Sequence, residues 1–245
     1  YSLIDKVYRL ENLKEAYKSV KKNNGAPGID GETVSAYGEN LEENLAQLHH
    51  ELKTGTYEPQ PVLRVEIPKP DGSKRPLGIP TVKDRVVQQA LLNILQPIFD
   101  PDFHPSSYGY RPGRSCQKAV AKAEMFMNKY GLKHVVDMDL SKCFDRLDHE
   151  LILKAVNRKI SDGSVMKLIK KFLKAGVMMD GSIHETEIGS PQGGVISPLL
   201  TNIYLDRFDQ EMKNRGIRIV RYAVMRRYFS QSQNYSKFHA NLKVC

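Results

Sequence analysis

The sequence predicts an α+β fold in which helices pack on a small antiparallel sheet. Three observations predict it. Residues 62–80, VLRVEIPKPDGSKRPLGIP, carry two arms of alternating apolar residues around Pro70-Asp71-Gly72-Ser73, the pattern of a hairpin. Short apolar runs rich in β-branched residues recur at 134–139 and in IRIVRYA at 217–223, as strands do. Longer segments with apolar residues near helical spacing stand between them.

Taken in order, residues 9–22 (RLENLKEAYKSVKK) and 38–53 (GENLEENLAQLHHELK) read as amphipathic helices. The segment NNGAPGIDGETV between them is dense in Gly, Asn and Pro and reads as an exposed loop. After the hairpin, DRVVQQALLNILQPIFD (84–100) has a continuous apolar face, an acidic start and a late Pro, as a well-buried helix has. SYGYRPGRS is a basic, aromatic loop, and Ser115 is placed to cap a helix running to Tyr130. The strand at 134–139 follows, then helices at 149–159 and 164–175 and a short hairpin around Asp180-Gly181. PQGGVISPLLTNIYLDRFDQEMKNRG supplies a loop and a long amphipathic helix ahead of the last strand.

Length and composition fit a globular protein with one sizeable core, or two small ones sharing a sheet: 245 residues, 40% hydrophobic. No apolar run approaches the roughly 18–20 residues of a membrane span, so no membrane partner is expected. The opening has neither a secretory pattern nor a starting Met, and the chain reads as a soluble fragment. Three cysteines at unrelated spacings point to a reducing, cytoplasmic compartment without structural zinc. The formal charge is +9, yet from Met212 onward there are eight Lys or Arg and no acid, leaving 29 basic against 28 acidic residues elsewhere. The basicity therefore sits in the tail, and nucleic-acid binding must be argued from local clusters such as KPDGSKR and YGYRPGRS.

The chemistry gathers around VVDMDLSKCFDRLDH, residues 135–149, where a buried strand ends on Asp139 and an aromatic, Phe144, follows five positions later. Two readings are open for Asp139: a carboxylate capping the turn after a strand, or a ligand for a hard cation such as Mg²⁺. Lys69 and Arg75 are either a solvated hairpin tip or cations that close on phosphate. Gln192, between Pro191 and two glycines, either opens the helix that follows or projects toward a ligand that the backbone can approach closely.

The order and character of these motifs resemble the reverse-transcriptase domain of group II intron-encoded reverse transcriptases and maturases. GAPGIDG, KPDGSKRPLGIP, SYGYRPGRS, VVDMDLSKCFDRLDH, GSPQGGVISPLLTNIYLDRFD and IVRYA occur in the family's order and cover nearly the whole chain. The resemblance implies a right-hand polymerase with an N-terminal extension and fingers region at 1–130 and a partial palm at 131–223. It implies RNA-directed DNA synthesis with Mg²⁺, on a group II intron RNA template with a DNA primer and dNTPs. Residue by residue, it implies that Asp139 is a metal-binding catalytic carboxylate and Phe144 a steric gate under the nucleotide sugar. Lys69 and Arg75 would hold the triphosphate, Gln192 would line the nucleotide pocket, and Gly25, Gly28 and Gly31 would lie over the template. The aromatic and basic loop adds Arg111 and Arg114 as RNA-binding candidates.

The pattern then breaks. Family members continue Arg-Tyr-Ala with two aspartates, whereas this chain has Val224 and Met225 in both positions. Residues 224–245 read as a non-matching basic tail, from a frameshift in the gene or from a genuinely divergent ending. The sequence thus predicts a truncated reverse-transcriptase domain without polymerase activity, with an RNA-binding, maturase-type splicing cofactor as the alternative.

Overall fold

The computed structural model describes residues 2–68, 72, 74–139, 143, 146–179, 182–184 and 193–230, with backbone alone at 75, 226–228 and 230. The chain opens on a short helix α1 (Ile4–Val7) and then α2 (Leu10–Asn23), which buries Leu13, Ala16, Tyr17 and Val20 along one stripe. Asn24 ends α2 in the left-handed region, at φ 41°, as helix C-termini commonly do.

One helix is expected over 38–53, and two are found: α3 (Val34–Glu39) and α4 (Leu41–Thr54). Thr33 caps α3, its hydroxyl accepting from the Ala36 amide at 3.1 Å. The Tyr17 hydroxyl donates to the Val34 carbonyl at 3.1 Å and packs so tightly on Gly38 that a Cβ there would stand 2.1 Å from it. Tertiary packing on Tyr17 thus holds α3 apart, and the helix breaks at Asn40.

The hairpin forms as the sequence predicts: β1 (Val62–Pro68) and β2 (Lys74–Ile79) are antiparallel, from Leu63 opposite Ile79 to Pro68 opposite Lys74. Next come α5 (Val82–Phe99), capped by Thr81, and α6 (Cys116–Tyr130), capped by Ser115 as expected. Strand β3 (His134–Asp139) leads to α7 (His149–Asn157) and α8 (Gly163–Lys174). Strands β4 (Val177–Met179) and β5 (Ser182–His184) make the second hairpin, whose expected turn at Asp180-Gly181 lies outside the described residues. The last described elements are α9 (Ser197–Asn214), β6 (Arg218–Tyr222) and β7 (Met225–Ser230).

Two sheets result, ordered β2-β1-β4-β5 and β3-β7-β6. All described pairings between strands are antiparallel except β1 with β4, which run parallel. One continuous core draws on α1–α5 and equally on α7, α8 and α9, so residues 1–130 and 131–223 share an interior. The three-stranded sheet lies between α6, through Ala123, Phe126, Val220 and Phe229, and α9, through Phe208, Met212 and Ile219. Strand β7 starts beyond Ala223, where the sequence pattern ends. The backbone nonetheless completes a hairpin there, with β7 as the central strand of its sheet.

Candidate functional site

Alternation along β3 half-buries His134, Val136 and Met138 and turns Val135, Asp137 and Asp139 outward. Asp139 closes the strand directly opposite Met225, which in turn stands opposite Tyr222. Ala223, at φ 55°, and Val224 form the turn between β6 and β7. The two residues that interrupt the family pattern therefore occupy the tip and first rung of the hairpin beside Asp139. Met225 is 54% exposed there.

Arg221 holds this hairpin in place. Its buried Nε donates to Asp209 Oδ2 at 2.6 Å, and its Nη1 donates to Asn202 Oδ1 at 2.7 Å and to the Ala223 carbonyl at 2.9 Å. Both members of the Arg221–Asp209 pair are fully buried. The loop at 106–109 braces the hairpin from the other side: the Arg221 amide donates to the Ser106 carbonyl and the Tyr108 amide to the Arg221 carbonyl, both at 2.9 Å. Asn202 Nδ2 donates to the Gly109 carbonyl at 3.0 Å. A Cβ on Gly109 would stand 2.1 Å from the Ala223 nitrogen, so only glycine permits this approach.

This brace is absent from the sequence reading, which treats SYGYRPGRS as an RNA-binding loop. A signal for it exists: Asp209 lies on the buried stripe of α9 between Leu205 and Met212, where a carboxylate requires a cation. Arg111 needs correction on the same ground. It is buried, and its guanidinium donates to both Asp100 carboxylate oxygens and to the carbonyls of Asp100, His104 and Ser107. All five of its donors are engaged, so none is left for RNA phosphate. Arg114 stays exposed, bonded to the Pro105 carbonyl and lying over the Tyr108 ring.

The glycine loop is placed against α5. Arg85 Nη2 donates to the Ala26 carbonyl at 2.7 Å, and a Cβ on Gly25 would meet Arg85 Nη1 at 2.6 Å. Gly28 is buried against the Pro80–Thr81 backbone, where a Cβ would stand 2.7 Å from Thr81 N and Cα, while Gly31 is exposed with φ 70° and open space around it. Lys69, Phe144 and Gln192 lie outside the described residues, and Arg75 is placed by its backbone, opposite Ile67. Beyond Gln192, Gly193 abuts the base of the β1–β2 hairpin, where a Cβ would stand 2.1 Å from the Gly78 carbonyl oxygen. Gly193 and strand β2 of the basic hairpin thus meet.

A pair of divalent metal ions needs several hard oxygen donors converging on one point. Asp139 offers a carboxylate, but its cross-strand neighbour Met225 is a thioether, and the turn residue Val224 carries an isopropyl group packed, partly buried, against the main core. Among the described residues no group of three His, Cys, Asp or Glu is placed to hold a metal ion. The described residues alone do not fit a metal pair.

Residues 67–223 match the reverse transcriptase (RNA-dependent DNA polymerase) family. The chain is 43% identical to the protein YkfC of Escherichia coli K12 over 210 residues, covering 84% of this chain and 55% of that protein. It is 41% identical to the group II intron-encoded protein LtrA of Lactococcus lactis subsp. cremoris, covering 80% of this chain and 32% of LtrA. The chain therefore spans about a third to just over half of the length of these relatives. Among solved structures, a partial Cas6-RT-Cas1–Cas2 complex superposes with a TM-score of 0.62 at 22% identity, over 97% of this chain and 40% of that one, a likeness of fold. Reverse transcriptases act on nucleic acid with an RNA template and use divalent metal ions. The family match, the order of the motifs and the fingers-and-palm fold agree: the chain belongs to the reverse transcriptases, in the branch of group II intron-encoded proteins and maturases.

Proposed function

We propose that this chain is the reverse-transcriptase domain of a group II intron protein in which the polymerase chemistry has been lost and RNA binding retained. One observation carries the reading: Met225 stands opposite Asp139, where the family resemblance calls for a carboxylate. The family reaction joins a primer 3′-hydroxyl to an α-phosphate, with metal-bound carboxylates stabilising the entering and leaving oxygens. With Val224 and Met225 in those places, Asp139 has no partner of the required kind in the hairpin. The remaining assignments follow from the resemblance: Lys69 and Arg75 for the triphosphate, Phe144 for the sugar, Gln192 for the nucleotide pocket. Intron RNA as template, a DNA primer, dNTPs, Mg²⁺ and a cytoplasmic setting belong to the ancestral activity. The same geometry favours the maturase-type reading, in which a domain of this fold clasps structured RNA without synthesis.

Primer extension on an RNA template with Mg²⁺ tests the loss. Removing one preorganised electrostatic stabiliser typically costs about 10²–10³-fold in rate, and two positions are replaced here, so no extension is expected. Synthesis within about a hundredfold of an intact relative would overturn the assignment of Val224 and Met225. Calorimetric titration with Mn²⁺ supplies an independent readout. Val224→Asp with Met225→Asp should create a binding isotherm that the unmodified chain lacks and that Asp139→Asn abolishes.

A further inference from the structure

A second concavity lies apart from both sheets. The start of α1, the last turn of α4 and one face of α8 border an open concavity of about 380 Å³, within the range of small-ligand sites. Its walls are fixed by one carboxylate. Asp162 Oδ2 accepts from the amides of Leu3 and Ile4 at 2.7 and 2.9 Å, and its Oδ1 accepts from those of Ser164 and Val165 at 2.9 and 3.1 Å. A single side chain thus ties the start of α1 to the start of α8. Further along α8, Lys171 donates to the Tyr57 carbonyl at 2.6 Å and pairs with Glu58 at 2.7 Å, anchoring the segment after α4.

The lining is chemically one-sided. Lys53, Lys167 and Lys171 contribute to it, together with the hydroxyl-bearing Ser164, and no Asp or Glu does. Lys171 is satisfied by its own contacts, but among the described residues no carboxylate pairs with Lys53 or Lys167. Two uncompensated ammonium groups in one concave site attract an anion more strongly than they would on an open face. Ile4, Leu52 and Leu168 supply apolar wall in the same lining. The complementary ligand is an anionic group carried on a flat or apolar body.

We infer that this cavity binds a nucleotide unit, with its phosphate on Lys53 and Lys167 and its base against Ile4 and Leu168. The unit is either a free mononucleotide or the phosphorylated end of an RNA strand. The choice of a nucleotide among amphipathic anions rests on the nucleic-acid reading above; the site itself shares no residue with the hairpin or with the loop at 106–114.

Lysine acetylation of the full chain, read residue by residue by mass spectrometry, tests the inference with three probes: AMP, a 5′-phosphorylated RNA oligonucleotide and inorganic phosphate. Protection of Lys53 and Lys167 by AMP, with Lys129 and Lys133 unaffected, identifies a free-nucleotide site. Protection by the RNA alone identifies a strand end. Lys53→Ala with Lys167→Ala should weaken binding of the protecting probe by about tenfold, while Lys129→Ala with Lys133→Ala, which removes the same charge elsewhere, should cost less than about twofold. Both lysine pairs are exposed, and circular dichroism checks that each variant folds. No protection by AMP or RNA, equal losses in the two double variants, or protection by inorganic phosphate as strong as by AMP would each overturn the inference. RNA binding that persists through Arg114 while Lys53 and Lys167 stay unprotected would sink this site and leave the RNA-binding reading standing.

Discussion

At the scale of single residues, the molecule places its most demanding electrostatics beneath the hairpin and not on its surface. Arg221 and Asp209 are an ion pair taken wholly out of water, and Arg221 also holds the Ala223 carbonyl at the turn. Leaving one partner of such a pair buried alone costs about 3–5 kcal/mol. Arg221→Ala and Asp209→Ala should each lose stability on that order in urea denaturation, and the double variant should lose less than the sum of the two. Full additivity would show that the pair does not act as a unit. His104 lies beside this network; burial lowers its pKa from the ordinary value, with Asp209 opposing the shift. The folded state therefore takes up this proton less readily than the unfolded one, so the associated stability is present above the unfolded pKa and is lost as pH falls below it. His104→Asn removes the titration while keeping an acceptor for the Ser106 amide, which His104 Nδ1 now serves at 3.1 Å. Between about pH 7 and pH 5 the variant should lose less stability than the parent, and parallel curves would exclude the histidine as the source. Burial raises the pKa of Asp84 and Asp206, which acts in the opposite direction, so the comparison must be between parent and variant and not across pH alone.

At the scale of elements, legibility follows periodicity. The β1–β2 hairpin, α2, α5, α6, β3, α8, α9 and β6 were readable because alternation, a helical stripe or a cap marked each one locally. The division into α3 and α4 was not, since Gly38 and Tyr17 meet only in three dimensions. Strand β7 escaped for a different reason. MRRYFS is strand-like, but the family pattern stops at Ala223, whereas backbone pairing depends on the pleat and not on whether position 225 is Asp or Met. The candidate site divides in the same way. Asp139 stands out as a candidate through its strand-end position together with the family resemblance, whereas the role of SYGYRPGRS as a brace is masked by its basic, aromatic composition. Gly109 tests that role. Its Cβ would meet backbone atoms, which cannot rotate away as a side chain can. Gly109→Ala should cost about 1–3 kcal/mol or more and lower Tm by circular dichroism. Gly31→Ala, strained in φ but facing open space, should cost less. Equal costs would mean that the loop does not lean on the hairpin.

At the scale of the whole molecule, the question is which charges meet RNA. The chain carries a formal +9, yet the uncompensated basic residues cluster from Met212 onward, and two of the eight, Arg218 and Arg221, are engaged with Phe126, Tyr130 and Asp209. Net charge therefore overstates what is available for phosphate. Deleting 224–245 would not isolate the tail, because it removes β7, the central strand of its sheet. Deletion of 231–245 is the informative cut: it takes away Lys237 and Lys243 and leaves every described element in place. If the folded part binds RNA, this shortened chain should keep weak binding that falls steeply with salt, as phosphate contacts release counterions. Arg114→Ala should then weaken it across all sequences and reduce the slope of log affinity against log salt by about 0.7–0.9, the share of one phosphate contact. Arg111→Ala belongs in the same experiment as a contrast. Its guanidinium is spent on Asp100 and on backbone carbonyls, so its loss should appear as a lower Tm with an unchanged salt slope in the molecules that remain folded. A chain lacking 231–245 that no longer binds RNA would assign the affinity to the tail, and the RNA-binding reading of the fold would fail with it.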